Sequence, residues 1–205
     1  MMRHLLSDHV VDFSAIYDDD VELVSIERPR SSALDALADS LFTSRKVLDM
    51  HWEQAANDAH APFNALKNAV QGSWLSALSE EIIMANEILK ELLGCDRVGV
   101  RVATLSSPMC PRFHVDQVPC RMLMTVSGGG TEWIASNDVV PELLANRKSS
   151  EPPLTSGGTI RQFTKGSWSL LKGGTWHDRF RGVVHRSPHK AGERLLLSFD
   201  PVFKR

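Results

Sequence analysis

No run of apolar residues in this 205-residue chain approaches the roughly 20 that a membrane-spanning helix needs. The first twenty residues lack the apolar block of a secretory signal and carry Asp8, Asp12, Asp18, Asp19 and Asp20 instead. Cysteine is scarce: Cys95, Cys110 and Cys120 are odd in number and form no Cys-x-x-Cys pair. That argues against a disulfide framework and makes a reducing cytoplasm the expected setting. Basic residues are scattered and not interleaved with aromatics, so neither nucleic acid nor a membrane is an expected partner; a small molecule is. Ser187 sits in no nucleophile-elbow pattern, so serine hydrolase chemistry has no support.

What is present fits one domain over residues 1–205. The apolar fraction of 42% supplies a core. The net charge of −2 conceals an asymmetry. Residues 95–205 hold 16 Lys and Arg against 9 Asp and Glu, whereas residues 1–94 hold 7 against 16. Either two surfaces differ in sign, or the second part attracts an anionic small molecule.

The first 94 residues read as mainly helical and as packing on a sheet. Val21 to Ile26 alternates as one strand, ended by Pro29. Ser31-Ser32 can cap a helix with Leu34, Leu37, Ala38 and Leu41 on one face. From about Ser73 to Leu93, Leu75, Leu78, Ile82, Ala85, Leu89 and Leu92 follow helical spacing, with Gly94 placed as a C-cap. After Gly94 the period falls to two. Strands are expected at Val98–Val102, around His114, at Cys120–Val126, Thr131–Ile134, Ile160–Phe163, Trp168–Leu171, Gly182–Arg186 and Arg194–Phe199. Residues 136–158, rich in Pro and Gly, read as a long connection with a short helix near Pro141–Leu144. Short strands at this spacing point to a β sandwich or barrel, of which the cupin-type jelly roll is one form.

The run Arg112-Phe113-His114-Val115-Asp116 carries the chemistry. On a strand, His-x-Asp puts an imidazole and a carboxylate on one face. A distal histidine, His185, completes a two-His-one-carboxylate set, which leaves positions of a metal open and suits Fe(II); imidazole and carboxylate also suit Zn and Mn. A lone strand histidine is more often a core residue, and His-x-Asp alone is common by chance; the two together in a β-rich half outweigh that. Arg194 starts the final strand, expected beside the strand of His185, where its guanidinium can hold a carboxylate bidentately. Ser198, four positions on, shares its face. Trp176, Arg112 and Arg121 are candidate pocket residues for the substrate. Cys110 is expected near the site's mouth as a packed or half-exposed thiol, the pair His177-Asp178 on a loop, and His189 in a turn. His51 and His60 have no partner pattern.

The block Cys110–Asp116, with Gly129-Gly130-Thr131-Glu132-Trp133, Leu170-Leu171-Lys172-Gly173, His185-Arg186-Ser187-Pro188 and Gly192–Ser198, resembles a bacterial family known only as domain-of-unknown-function family 1826. The resemblance covers most of the chain and thins before residue 70. The order His-x-Asp, distal His, Arg is similar to the Fe(II)/2-oxoglutarate oxygenases. That resemblance implies an α+β protein whose core is a double-stranded β-helix, cupin-like, with N-terminal bracing helices. It implies iron on His114, Asp116 and His185, and 2-oxoglutarate held by Arg194 with Ser198. Many of those enzymes have Arg-x-Ser where this chain has Arg194-Leu-Leu-Leu-Ser198, so Ser198 departs from the pattern. The alternatives are a metal-dependent cupin enzyme without 2-oxoglutarate and a non-catalytic metal- or ligand-binding protein.

Overall fold

A computed structural model describes residues 2–146, 148–149, 151–177, 181–189 and 192–203. Along them run strands β1 (Arg3–Ser7), β2 (Val21–Ile26), β3 (Asp49–Ala55), β4 (Arg97–Leu105), β5 (Cys120–Ser127), β6 (Glu132–Ile134), β7 (Ile160–Gln162), β8 (Trp168–Lys172), β9 (Val184–Arg186) and β10 (Arg194–Val202). The helices are α1 (Ser32–Thr43), α2 (Ala61–Leu66), α3 (Gly72–Leu93) and α4 (Pro141–Ala145). Seven strands form a large sheet in the order β1-β2-β8-β5-β10-β4-β3, and three form a small one, β7-β6-β9. All pairings are antiparallel except β1 with β2.

The helices form where the apolar spacing demands them. Ser31 Oγ accepts from the Leu34 N–H at the start of α1, and Leu34, Leu37, Ala38 and Leu41 are buried below it. In α3, Leu78, Ile82, Ala85 and Leu89 are fully buried. Gly94 ends it in the left-handed region at φ 66°, with its N–H on Lys90 O at 2.8 Å; only Gly takes that conformation without Cβ strain. Both helices cover one face of the large sheet, meeting Val98, Val100 and Val102 of β4 and Leu195, Leu197 and Phe199 of β10. Each such buried aliphatic contributes about 1.5–3 kcal/mol.

The N-terminal region corrects one expectation. It supplies three strands to the large sheet, not one. β3 went unread because only Met50 and Trp52 mark its apolar face, between the polar Asp49, His51 and Glu53; β1 is an edge strand, where the pattern is weakest.

The second face of the large sheet looks at the small sheet. Leu23, Leu123 and Leu171 meet Trp133, Phe163 and Val183 in a cluster that closes one end of the space between them. On its outer face, the small sheet packs Ile134 and Val184 with Phe113 against Val139, Leu144, Leu154 and Ile160. Val139, Leu144 and Leu154 of the long connection are therefore a packed cover, pinned by the Val140 N–H on Pro153 O at 2.9 Å. This is a mixed α+β fold, with α1 and α3 on one side of the large sheet and a cavity between two sheets on the other.

Candidate metal centre

The chain from Pro111 to Pro119 is irregular, which corrects the expectation of a strand there. What orders it is a single bridge. His114 and His185 exchange both backbone hydrogen bonds, each 3.0 Å, and directly opposed antiparallel residues point to the same side. The two imidazoles consequently lie 4.6 Å apart, centre to centre. Local alternation survives: Phe113 and Val115 join the outer cluster, while His114 and Asp116 turn inward.

Asp116 is placed by its backbone. Its carbonyl accepts the Gly174 N–H at 2.8 Å, and the Pro119 carbonyl accepts that of Gly173, also 2.8 Å. A Cβ on Gly173 would lie 1.9 Å from Val118 O, so only glycine lets these segments touch. Gly173-Gly174 lies on a loop, as the sequence suggests, and clamps the loop of the carboxylate.

His185 Nε2 lies 3.2 Å from Asp116 Oδ2, and His114 Nε2 lies 3.5 Å from Oδ1. Adjacent donors on an octahedral ion at ~2.1 Å are about 3.0 Å apart. All three donor atoms lie within 4.8 Å of one another. His114 Nδ1 is 3.0 Å from Arg112 O, and His185 Nδ1 is 3.0 Å from Val183 O. A carbonyl only accepts, so both Nδ1 carry the proton and both Nε2 lone pairs face the carboxylate. Three acceptors aimed at one point need a cation between them, either a proton or a metal ion. The donor set therefore fits a metal. The hydrogen bond to Asp116 raises the pKa of His114, against the effect of burial. Burial alone would raise the Asp116 carboxyl, but hydrogen bonds from both histidines and the charge of Arg121 hold it far below the usual range.

Arg121, expected as a pocket residue for the substrate, does line the cavity, with its nitrogens bonded to two carboxylates of the same wall. Its Nη1 donates to Asp116 Oδ2 at 2.8 Å, and its Nε and Nη2 grip Asp200 at 2.6 and 2.7 Å. Burial would lower its pKa, but the bonds to Asp200 raise it on balance. Asp200 was missed, although it continues the cavity-facing alternation of Ser198.

Arg194, Leu196, Ser198 and Asp200 form the face of β10 opposite its helix-side residues, and Ser198 lines the cavity. Arg194 is fully buried. Its Nη2 donates to Thr125 Oγ1 (3.3 Å) and Thr131 Oγ1 (3.2 Å), and Thr131 is part of the cavity wall. Its Nε and Nη1 are buried without partners. Burial lowers its pKa to about 10. β9 and β10 are not the sheet neighbours expected from sequence; they belong to different sheets, and Arg194 meets the cavity wall from behind, at Thr131.

The cavity measures about 220 Å³. Two candidates lie outside it. Trp176 packs at the edge of the main core against Tyr17, 5.7 Å between ring centres. Arg112 donates to Asn146 O at 3.1 Å in a separate cleft. Cys110 does line the cavity and is exposed. Of the pair His177-Asp178, His177 is exposed and Asp178 lies outside the described residues.

The fold is one found in solved oxygenases. A dioxygenase for auxin oxidation in rice matches with a TM-score of 0.55 at 12% identity, over 98% of this chain and 83% of that one. A Pseudomonas putida prolyl-4-hydroxylase matches with a TM-score of 0.52 at 11% identity, over 96% of this chain and 99% of that one. A family model described as "Protein of unknown function (DUF1826)" matches residues 7–200, and the chain belongs to that family. The match reaches well before residue 70, where the sequence resemblance thins. No curated protein matches the chain.

Proposed function

We propose that the protein is a non-haem Fe(II)- and 2-oxoglutarate-dependent oxygenase acting on a small molecule, and that its facing sheets are a double-stranded β-helix. His114, Asp116 and His185 would hold the ion on one side through Nε2, a carboxylate oxygen and Nε2. Bound iron with the oxo acid supplies the oxidation of a C–H bond by dioxygen. The chain's own contribution is positioning. Arg112 O and Val183 O fix the tautomers, Arg121 on Asp200 aims the carboxylate, and the Leu123–Trp133 cluster keeps water from one end.

The observation that carries this reading is Arg194. A fully buried guanidinium with two unpartnered nitrogens is costly unless an anion completes it. Its place beside Thr131 directs it at a carboxylate entering the triad's cavity, which favours 2-oxoglutarate over a cupin reaction without it. Three free cysteines, two of them buried, fit a cytoplasmic setting. No described helix is long and apolar enough to cross a membrane.

The test is anaerobic titration with Fe(II) followed by 2-oxoglutarate. A weak visible absorption band and slow succinate formation without substrate are expected. Iron-loaded protein that shows neither leaves a cupin enzyme of another kind, and tight zinc that iron does not displace leaves a metal-binding protein. In Arg194→Met, 2-oxoglutarate binding should fall at least tenfold while iron binding persists; unchanged 2-oxoglutarate binding overturns the role of Arg194.

A further inference from the structure

The cavity floor is the inward face of the large sheet, and its strand register sets residues in rows. His51 on β3 is paired with Arg101 on β4, Arg101 with Ser198 on β10, and Ser198 with Leu123 on β5. His51, Arg101, Ser198 and Leu123 all line the cavity that holds the triad. Arg194 sits four residues further along β10, about 13 Å at strand spacing, so Arg101 presents a second guanidinium remote from the first. Arg101 Nη2 is held by Asp49 at 2.8 Å, while its Nε is buried without a partner. Asp49 is largely exposed, and a solvent-facing ion pair is weak; it orients Arg101 without consuming it.

The ion pairs of the lining agree. Arg186 is matched by Glu132, and Arg121 by Asp116 and Asp200, which leaves Arg101, whose partner Asp49 faces solvent, as the lining cation with a buried unpartnered nitrogen. Gly99 lies two residues from Arg101 on β4, directly opposite Asp200, and leaves the floor there without a side chain; a Cβ would find only Asp200, at 3.8 Å. The gap is space for a ligand, not a packing requirement.

We infer that Arg101, with His51 beside it, anchors a carboxylate of the substrate, whose body lies over Gly99 toward the triad. The inference rests on the oxygenase reading for the identity of the cavity as a substrate site. It makes the substrate a small carboxylate and makes Arg101 the residue that selects it.

The test uses metal-free protein and saturation-transfer NMR, with acetate, hexanoate and 4-fluorophenylacetate as probes and 4-fluorophenylacetamide as the neutral control. At least one acid is expected to bind, and the amide at least tenfold more weakly than its acid. Arg101→Met should lose tenfold or more, Arg101→Lys should recover part of it, and His51→Ala should weaken binding less. Gly99→Val, which the backbone accepts, should exclude the larger probes. Equal binding of acid and amide, unchanged binding in Arg101→Met, or no binding by any of the three acids overturns the anchor. Manganese binding followed by electron paramagnetic resonance reads the triad separately. Its loss with acid binding intact sinks the oxygenase reading alone, and the reverse sinks the anchor alone.

Discussion

An imidazole offers a metal only the nitrogen that carries no proton, so the carbonyls of Arg112 and Val183 matter as much as the rings they hold. The same logic applies to Asp116, whose carboxylate is aimed by Arg121, itself gripped by Asp200. Asp200→Ala should therefore weaken Mn(II) binding by about 10–100-fold with the ligand set intact, as measured by titration; unchanged affinity would show that Arg121 holds Asp116 unaided. Arg194 makes the opposite kind of statement. Its guanidinium is stranded in the absence of an anion, so Arg194→Met should melt at an equal or higher temperature than the parent without 2-oxoglutarate. A drop of several degrees would show that its bonds to Thr125 and Thr131 already repay the buried charge. Sequence spacing placed His114, Asp116, His185, Arg194 and Ser198 near one another in thought, because each rests on strand alternation or on motif order. It rightly placed Arg121 in the cavity wall but wrongly placed Arg112 and Trp176 there, which lie outside, because whether a guanidinium or an indole faces a cavity depends on partners far along the chain.

Among the elements, the loop from His114 to Pro119 owes its shape to a neighbour without side chains. Gly173→Ala forces the Val118 carbonyl away and with it Asp116. The expected result is a folded protein, by circular dichroism, that has lost most of its metal affinity; full affinity would mean the loop absorbs the methyl group. The helices act elsewhere. Ile82→Ala on α3 opens a hole in the main core and should cost about 2–5 kcal/mol in urea unfolding, with metal affinity in the folded protein unchanged. Helices α1 and α3 and strands β2, β4, β5, β8 and β10 were legible because each carries an apolar period strong enough to stand alone. β1 and β3 were not: edge strands expose much of their surface, and their pairing is decided by β2 and β4. The long connection over the small sheet and its short helix, α4, were legible, but not its packing, because Val139, Leu144 and Leu154 are too far apart in sequence to show a period.

At the scale of the molecule, few polar links join the two sheets, and Glu22 is one. The strand register slips by one residue beside it, between Arg3 and His4, and its carboxylate reaches across to the N–H (3.2 Å) and hydroxyl of Ser136. Burial raises its pKa against those bonds. With the folded value above the unfolded one, Glu22 favours the fold fully below about pH 4.3, and that contribution is lost as pH rises through the folded value. Relative to Glu22→Gln, the protein should therefore lose stability as pH rises above about 4.3 in urea titrations; a constant difference would mean the carboxyl ionises as freely folded as unfolded. The proposed ligands bridge the same divide. His185 belongs to the small sheet, Asp116 to a loop clamped on the chain after β8, and Arg194 to the large sheet. Occupancy should thus act as a suture between layers that unfolding must cut. At a hundred times its dissociation constant, a ligand of the folded state alone adds about 2.7 kcal/mol. Heat resistance becomes a concentration gauge: even with the substrate unidentified, a library of metals and acids can be ranked by how far each delays melting, without any turnover.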